Sequence, residues 1–175
     1  MGQRESKKPP EPLPEDLLDL YVRSEFKAMD SDNDGKLTRQ EVRNMLRFMG
    51  FKKSKHKLKY LGVPGRKSMV ALEDYVSAFK ADKVLIDKTD NFRQLFKLFD
   101  KNSDGWADRR EISDGLEEVC NTVEMFIDQA LQETVDTMVT SAESKISYEN
   151  FLALEFQIAH RLREEDKKKS MFDED

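Results

Sequence analysis

Two twelve-residue segments of this chain place acidic side chains at a spacing that can do chemistry. The first reads Asp30-Ser31-Asp32-Asn33-Asp34-Gly35-Lys36-Leu37-Thr38-Arg39-Gln40-Glu41. The second reads Asp100-Lys101-Asn102-Ser103-Asp104-Gly105-Trp106-Ala107-Asp108-Arg109-Arg110-Glu111. Alternate residues of a tight loop can converge on one point, and a hard cation such as Ca2+ takes six to eight oxygens. In the first loop Asp30, Asp32 and Asp34 supply carboxylates, Lys36 offers its backbone carbonyl, Thr38 acts directly or through water, and Glu41 closes the site with both oxygens. In the second the same roles fall to Asp100, Asn102, Asp104, the Trp106 carbonyl, Asp108 and Glu111. Gly35 and Gly105 permit the positive φ that wraps each loop. Glu at the twelfth position allows bidentate closure, which favours seven-coordinate Ca2+ over six-coordinate Mg2+. An ordinary Asx-rich turn is the bland alternative, but it would have to produce the whole ligand pattern twice. The expectation is two Ca2+ sites.

Helices must position these loops. Val22, Phe26 and Met29 lie on one face before the first loop, and Phe92, Phe96 and Phe99 do so before the second. Val42, Met45, Leu46 and Met49 continue one apolar stripe after the first loop; Ile112, Leu116 and Val119 continue another after the second. Two further segments, Val70 to Phe79 and Ile146 to Phe151, resemble the ends of such loops without the acids at their starts. Counting back, the four loops begin at 30, 63, 100 and 139, which are 33, 37 and 39 residues apart, a near-regular repeat. The loops starting at Val63 and Val139 lack the first acidic ligands and are read as scaffolds without metal.

With these motifs the chain resembles the calmodulin and troponin C-like EF-hand superfamily over roughly residues 15–160. The run Thr38 to Gly50 is especially similar to the first loop exit of that family. The resemblance implies an all-α fold of two lobes. Each lobe is a pair of helix-loop-helix units joined by a short antiparallel β-bridge, with Leu37 facing Val70 and Ala107 facing Ile146. It also implies an apolar groove that opens when Ca2+ binds. The chain departs from calmodulin at its second and fourth loops, so four-site loading is not implied. Its intact first loop fits poorly with recoverin-like sensors, in which that loop is disabled.

The domain organisation expected is a flexible segment 1–14, an EF-hand pair 15–80, a linker 81–90, a second pair 91–163 and a charged, frayed tail 164–175. Val84, Leu85 and Ile86 of the linker could pack onto a lobe. Pro9, Pro10, Pro12 and Pro14 make a stiff spacer ahead of the first helix.

Charge bounds the partners. The net charge is -5, with 37% charged residues and a mean hydropathy of -0.75. Residues 1–88 carry 19 Lys and Arg against 14 Asp and Glu (+5), and residues 89–175 carry 11 against 21 (-10). A sequence pI near 5.3 speaks against nucleic-acid binding. One cysteine, Cys120, allows no internal disulfide, and the N-terminus lacks the apolar stretch of a secretory signal, so the expected address is the cytoplasm. Met1-Gly2-Gln3-Arg4-Glu5-Ser6 fits an N-myristoylation pattern at Gly2, and Lys7 and Lys8 supply a basic second signal for peripheral membrane contact.

Three functions compete. A Ca2+ sensor would open its lobes around an amphipathic helix of a target protein, with Met45, Met49, Met125 and Met138 lining the groove; the alternative for a Met stripe is core. A Ca2+ buffer would bind metal and barely open. An enzyme is disfavoured: no P-loop, nucleophile elbow or GxGxxG is present, and His56 and His160 are the only histidines.

Overall fold

The computed structural model describes residues 11–121, 128–141 and 143–172; Gly2, Lys7, Lys8, Met125 and the Cys120 side chain lie outside them. The described chain is mostly helical. Helix α1 (Glu15–Met29), strand β1 (Lys36–Thr38) and helix α2 (Arg39–Phe48) surround the first loop. They are followed by α3 (Lys55–Tyr60), β2 (Met69–Ala71), α4 (Leu72–Lys80) and α5 (Lys83–Lys88). Helix α6 (Asn91–Phe99), β3 (Trp106–Asp108) and α7 (Arg109–Asn121) surround the second acidic loop. Then come α8 (Gln129–Thr140), β4 (Lys145–Ser147) and α9 (Tyr148–Phe172).

Local chemistry explains the helix boundaries. Helix α1 follows Pro14 and carries Glu15 and Asp16 at its positive end. At the start of α2 the Thr38 side chain accepts from the Glu41 amide while the Glu41 side chain accepts from the Thr38 amide, a capping box. Asp82 caps α5 through the Leu85 amide, and Asp128 caps α8 through the Leu131 amide. The linker is therefore largely helical, and Leu85 is buried in the first core whereas Val84 is exposed. The 164–175 segment, expected to fray, continues α9 as far as Phe172. Intrahelical pairs such as Arg161–Glu165 and Glu164–Lys167 support that charged extension.

The strands form two antiparallel pairs, β1 with β2 and β3 with β4. Leu37 lies opposite Val70, and Ala107 opposite Ile146. Their alternation puts these four side chains inside.

Two apolar cores result, and α1 belongs to both. Leu18, Val22 and Phe26 face the first core together with Leu37, Leu46, Val70, Tyr75 and Phe79. Leu17 and Tyr21, on the adjacent face of the same helix, enter the second with Phe96, Phe99, Tyr148 and Phe151. A helix offers neighbouring faces at its 3.6-residue period, so one amphipathic helix with a broad stripe can serve two cores. Between the halves the Arg93 guanidinium, fully buried, donates to Glu25 Oε1 at 2.6 Å and Oε2 at 2.9 Å. The Tyr148 hydroxyl donates to the same Glu25 at 3.0 Å, and Arg93 also donates to Thr89 Oγ1 at 3.1 Å. Phe48 of α2 stacks on Phe92 of α6, with ring centroids 4.8 Å apart.

Candidate metal centre

Each acidic loop begins where its entering helix ends. Asp30 and Asp100 are the C-caps of α1 and α6, and both are buried beside the cores. From there each aspartate gathers the loop's own amides. Asp30 accepts from the Asp34 amide at 3.2 Å and the Gly35 amide at 2.9 Å. Asp100 accepts from the Asp104 amide at 3.0 Å and the Gly105 amide at 2.9 Å. The backbone turns through the left-handed region at matching places: Asn33 (φ 56) and Gly35 (φ 78) in one loop, Ser103 (φ 60) and Gly105 (φ 84) in the other. Asn and Ser tolerate that region better than branched residues, and Gly at no steric cost. Both loops thus share one fold.

In the first loop a carboxylate oxygen from each of Asp30, Asp32 and Asp34 lies within 4.8 Å of the others. Like charges at that range raise the Asp32 pKa: the Asp34 amide pulls it down, but burial and the Asp34 and Asp30 carboxylates more than offset this. An all-oxygen cluster of carboxylates of this kind fits a hard divalent cation. Glu41 is not a member of that cluster. Its carboxylate accepts from Ser31 Oγ at 2.7 Å, from the Thr38 amide at 2.8 Å and from Thr38 Oγ1 at 2.9 Å. Burial would raise its pKa, yet these hydrogen bonds hold it below the ordinary glutamate range. Lys36 sits in β1, its amide donating to Asp34 Oδ1, and Thr38 ends the strand as the α2 cap.

The second acidic loop repeats the backbone turn, but among the described residues only the first loop brings three carboxylates together. Asn102 and Asp104 are side by side, at 3.2 Å, and Glu111 accepts from the Asp108 amide at 2.9 Å and the Asn102 amide at 3.3 Å. The Trp106 amide donates to Asp104 Oδ1, and its ring, 39% exposed, lies under the Lys145 ammonium at 4.6 Å.

Two features of the site were missed by the sequence reading. The Tyr21 hydroxyl of α1 donates to Asp100 Oδ2 at 2.8 Å, across 79 residues of sequence. Burial first, then this bond and the charge of Asp100, push the Tyr21 pKa well above the ordinary value. No local pattern marks such a partner. The second feature was legible: an arginine holds the tenth position of both acidic loops. Arg39 donates to the Val63 and Pro64 carbonyls of the second loop, and Arg109 donates to the Ser141 carbonyl of the fourth. In each pair a guanidinium satisfies carbonyl groups near the start of the loop that lacks the first acidic ligands.

Comparison with known proteins agrees with this geometry. The EF-hand domain family matches residues 21–50. Calcium-dependent protein kinase 9 of Oryza sativa subsp. japonica is 30% identical over 137 residues, covering 76% of this chain and 23% of the kinase. The chain thus spans about a quarter of the length of the kinases it matches. Probable calcium-binding protein CML11 of the same plant is 26% identical over 81% of this chain and 68% of its own length. A calmodulin-like protein of Dictyostelium discoideum is 24% identical, over 74% of this chain and 84% of its own. The acidic-loop geometry, the EF-hand match over residues 21–50 and these relatives together support a calcium-binding EF-hand protein related to calmodulin-like proteins.

Proposed function

We propose that the protein is a calcium sensor that loads two Ca2+, one in the loop Asp30–Glu41 and one in the loop Asp100–Glu111, and then offers apolar surface to an amphipathic helix of a partner. The observation that carries this reading is the position of Glu41. It stands in the first turn of α2, outside the Asp30–Asp32–Asp34 cluster and tied to Ser31 and Thr38. Drawing its carboxylate onto an ion shared with the aspartates would break those bonds and pull the start of α2 with it. That motion acts on the residues a groove would need. Met45 of α2, Met49 at its C-cap and Met138 of α8 are core residues here, with Met45 accepting a weak bond from the Tyr75 hydroxyl at 3.9 Å. Sensor hands shift from such closed packing to an open one exposing methionine-rich surface.

On the same reading the protein works in the cytoplasm, and acylation at Gly2 beside Lys7 and Lys8 gives it a peripheral membrane contact. The test is a Ca2+ titration in a Mg2+ background, following Trp106 emission together with an apolar-surface dye. A saturable change in both signals is expected. A Trp106 change without a dye response would make the protein a buffer. Calorimetry reporting other than two sites would overturn the stoichiometry.

A further inference from the structure

The exposed side of α2 opens onto a groove of about 590 Å³ between this helix and the segment leading into α3. It is lined by Arg43, Arg47, Lys52, Lys53, Lys55 and His56, with Arg39 at one end and no carboxylate among its lining residues. A neighbouring depression of about 440 Å³ shares Arg39 and Arg43 and adds Arg66, so the basic surface is continuous. Arg39, Arg43 and Arg47 stand four residues apart on one helix face, a spacing at which like charges repel.

This is an acidic protein that answers many of its cations elsewhere. Arg23 pairs with Asp19 and Glu73, Lys57 with Asp82, Lys80 with Asp19, Arg93 with Glu25 and Arg161 with Glu133. Among the described residues no salt bridge to a carboxylate is formed by Arg43, Arg47, Lys52, Lys53 or Lys55. At the floor of the groove Ser54 is 8% exposed and its hydroxyl makes no capping bond to the helix that follows it. Concave, polar and left without counter-charge, the groove is unlike a solvated helix face, whose charges point apart into water.

We propose that this groove is a binding site for a small, multiply phosphorylated anion, free or carried as a lipid headgroup. Arginine forks match phosphate oxygens in pairs, and lysines add point charge around them. A volume of this size suits a compact ligand bearing several phosphates. Focused positive potential in a concavity attracts such a ligand over a distance that salt screens. The Ser54 hydroxyl supplies a neutral donor at the bottom. Arg39 is also the tenth residue of the first acidic loop, but none of the acids of either loop is among the groove's lining residues.

The test uses the full chain in a calcium chelator, because phosphates also bind Ca2+, with inositol hexakisphosphate as the soluble probe in calorimetry. One equivalent should bind in roughly physiological salt. Arg43→Gln with Arg47→Gln should weaken it about tenfold or more. Lys167→Gln with Lys168→Gln, which removes equal charge from α9, should change it less than about twofold. Should the arginine pair alter the melting temperature, Lys52→Gln with Lys53→Gln, outside any helix, carries the same expectation. Undiminished binding in the groove variants, or no binding to the wild type, would overturn the proposal. A second arm separates the sources. Cosedimentation with phosphatidylcholine vesicles containing phosphatidylinositol bisphosphate, lost in the groove variants, identifies a lipid headgroup; soluble binding without sedimentation identifies a free anion. Equal sedimentation with phosphatidylserine vesicles of matched charge, unaffected by the variants, would reduce the groove to diffuse surface charge and overturn it.

Discussion

A residue read as a ligand in one acidic loop is hydrogen-bonded by a side chain from the helix that enters the other. Asp100 caps α6 and belongs to the second acidic loop, yet one of its oxygens is held by Tyr21 from the helix that enters the first. Hydrogen bonds behind a metal ligand fix its orientation, and losing one costs about ten- to a hundredfold in affinity. Tyr21→Phe keeps the ring against Phe96 and Tyr148 and deletes only the hydroxyl. The expected outcome is Ca2+ affinity about tenfold weaker in the Asp100 loop, read from Trp106 emission. Binding in the Asp30 loop, read by calorimetry, should be nearly unchanged. The residue pattern within each loop was plain from sequence because its ligands are neighbours along the chain. Tyr21 was not, because its partner is supplied only by folding.

Two helix contacts can be tested at the level of elements. Gly115 of α7 lies against the end of α6: a Cβ built there would stand 2.5 Å from Phe99 Cδ1 and 2.8 Å from the Leu98 carbonyl oxygen. Helix propensity alone would favour alanine by about 1 kcal/mol. Gly115→Ala should instead lower the metal-free melting temperature and raise dye binding without Ca2+, because α6 and α7 must separate. An unchanged or higher melting temperature would show that the packing yields at little cost. The second contact joins α8 and α9, where the Thr134 hydroxyl donates to buried Glu155. Burial raises the Glu155 pKa, offset in part by that bond and reinforced by the Asp128 charge. A carboxyl whose folded pKa exceeds its unfolded value is stabilising at low pH and costs stability as pH rises through that interval. Glu155→Gln should therefore raise the melting temperature at neutral pH, by about 2–4 °C for each kcal/mol recovered. The gain should shrink as the pH falls below the ordinary glutamate range. A gain independent of pH would assign the effect to something other than ionisation.

Across the whole molecule, α1 is the shared element. Its residues enter both cores, and its Glu25 meets Arg93 and Tyr148 where the halves join. Burial would depress the Arg93 pKa, but the Glu25 charge and hydrogen bonds raise it above the ordinary range. Removing one partner of a buried pair leaves an uncompensated charge, at a cost of about 3–5 kcal/mol. Arg93→Met should lose stability of that order in urea denaturation, and adding Glu25→Leu should recover part of it. Because α1 is common to both cores, the wild type should unfold in one transition; two separate transitions would contradict the shared helix.

What the sequence alone determined are the features written in short range: both acidic loops, their glycines, the helix stripes around them, and the strand registers Leu37–Val70 and Ala107–Ile146. Periodicity and ligand spacing act over a dozen residues, and a regular repeat extends them to the second and fourth loops. Helix α5 in the expected linker, and the continuation of α9 through a segment read as frayed, arise from caps and charge pairs too weak to stand out in composition. The tertiary structure alone decided that the halves share α1, that Arg93 is buried on Glu25, that Tyr21 reaches Asp100 and that unpaired arginines converge on one groove. Each joins residues far apart in sequence, or depends on which faces of a helix are left to water, and neither is set until the cores have closed.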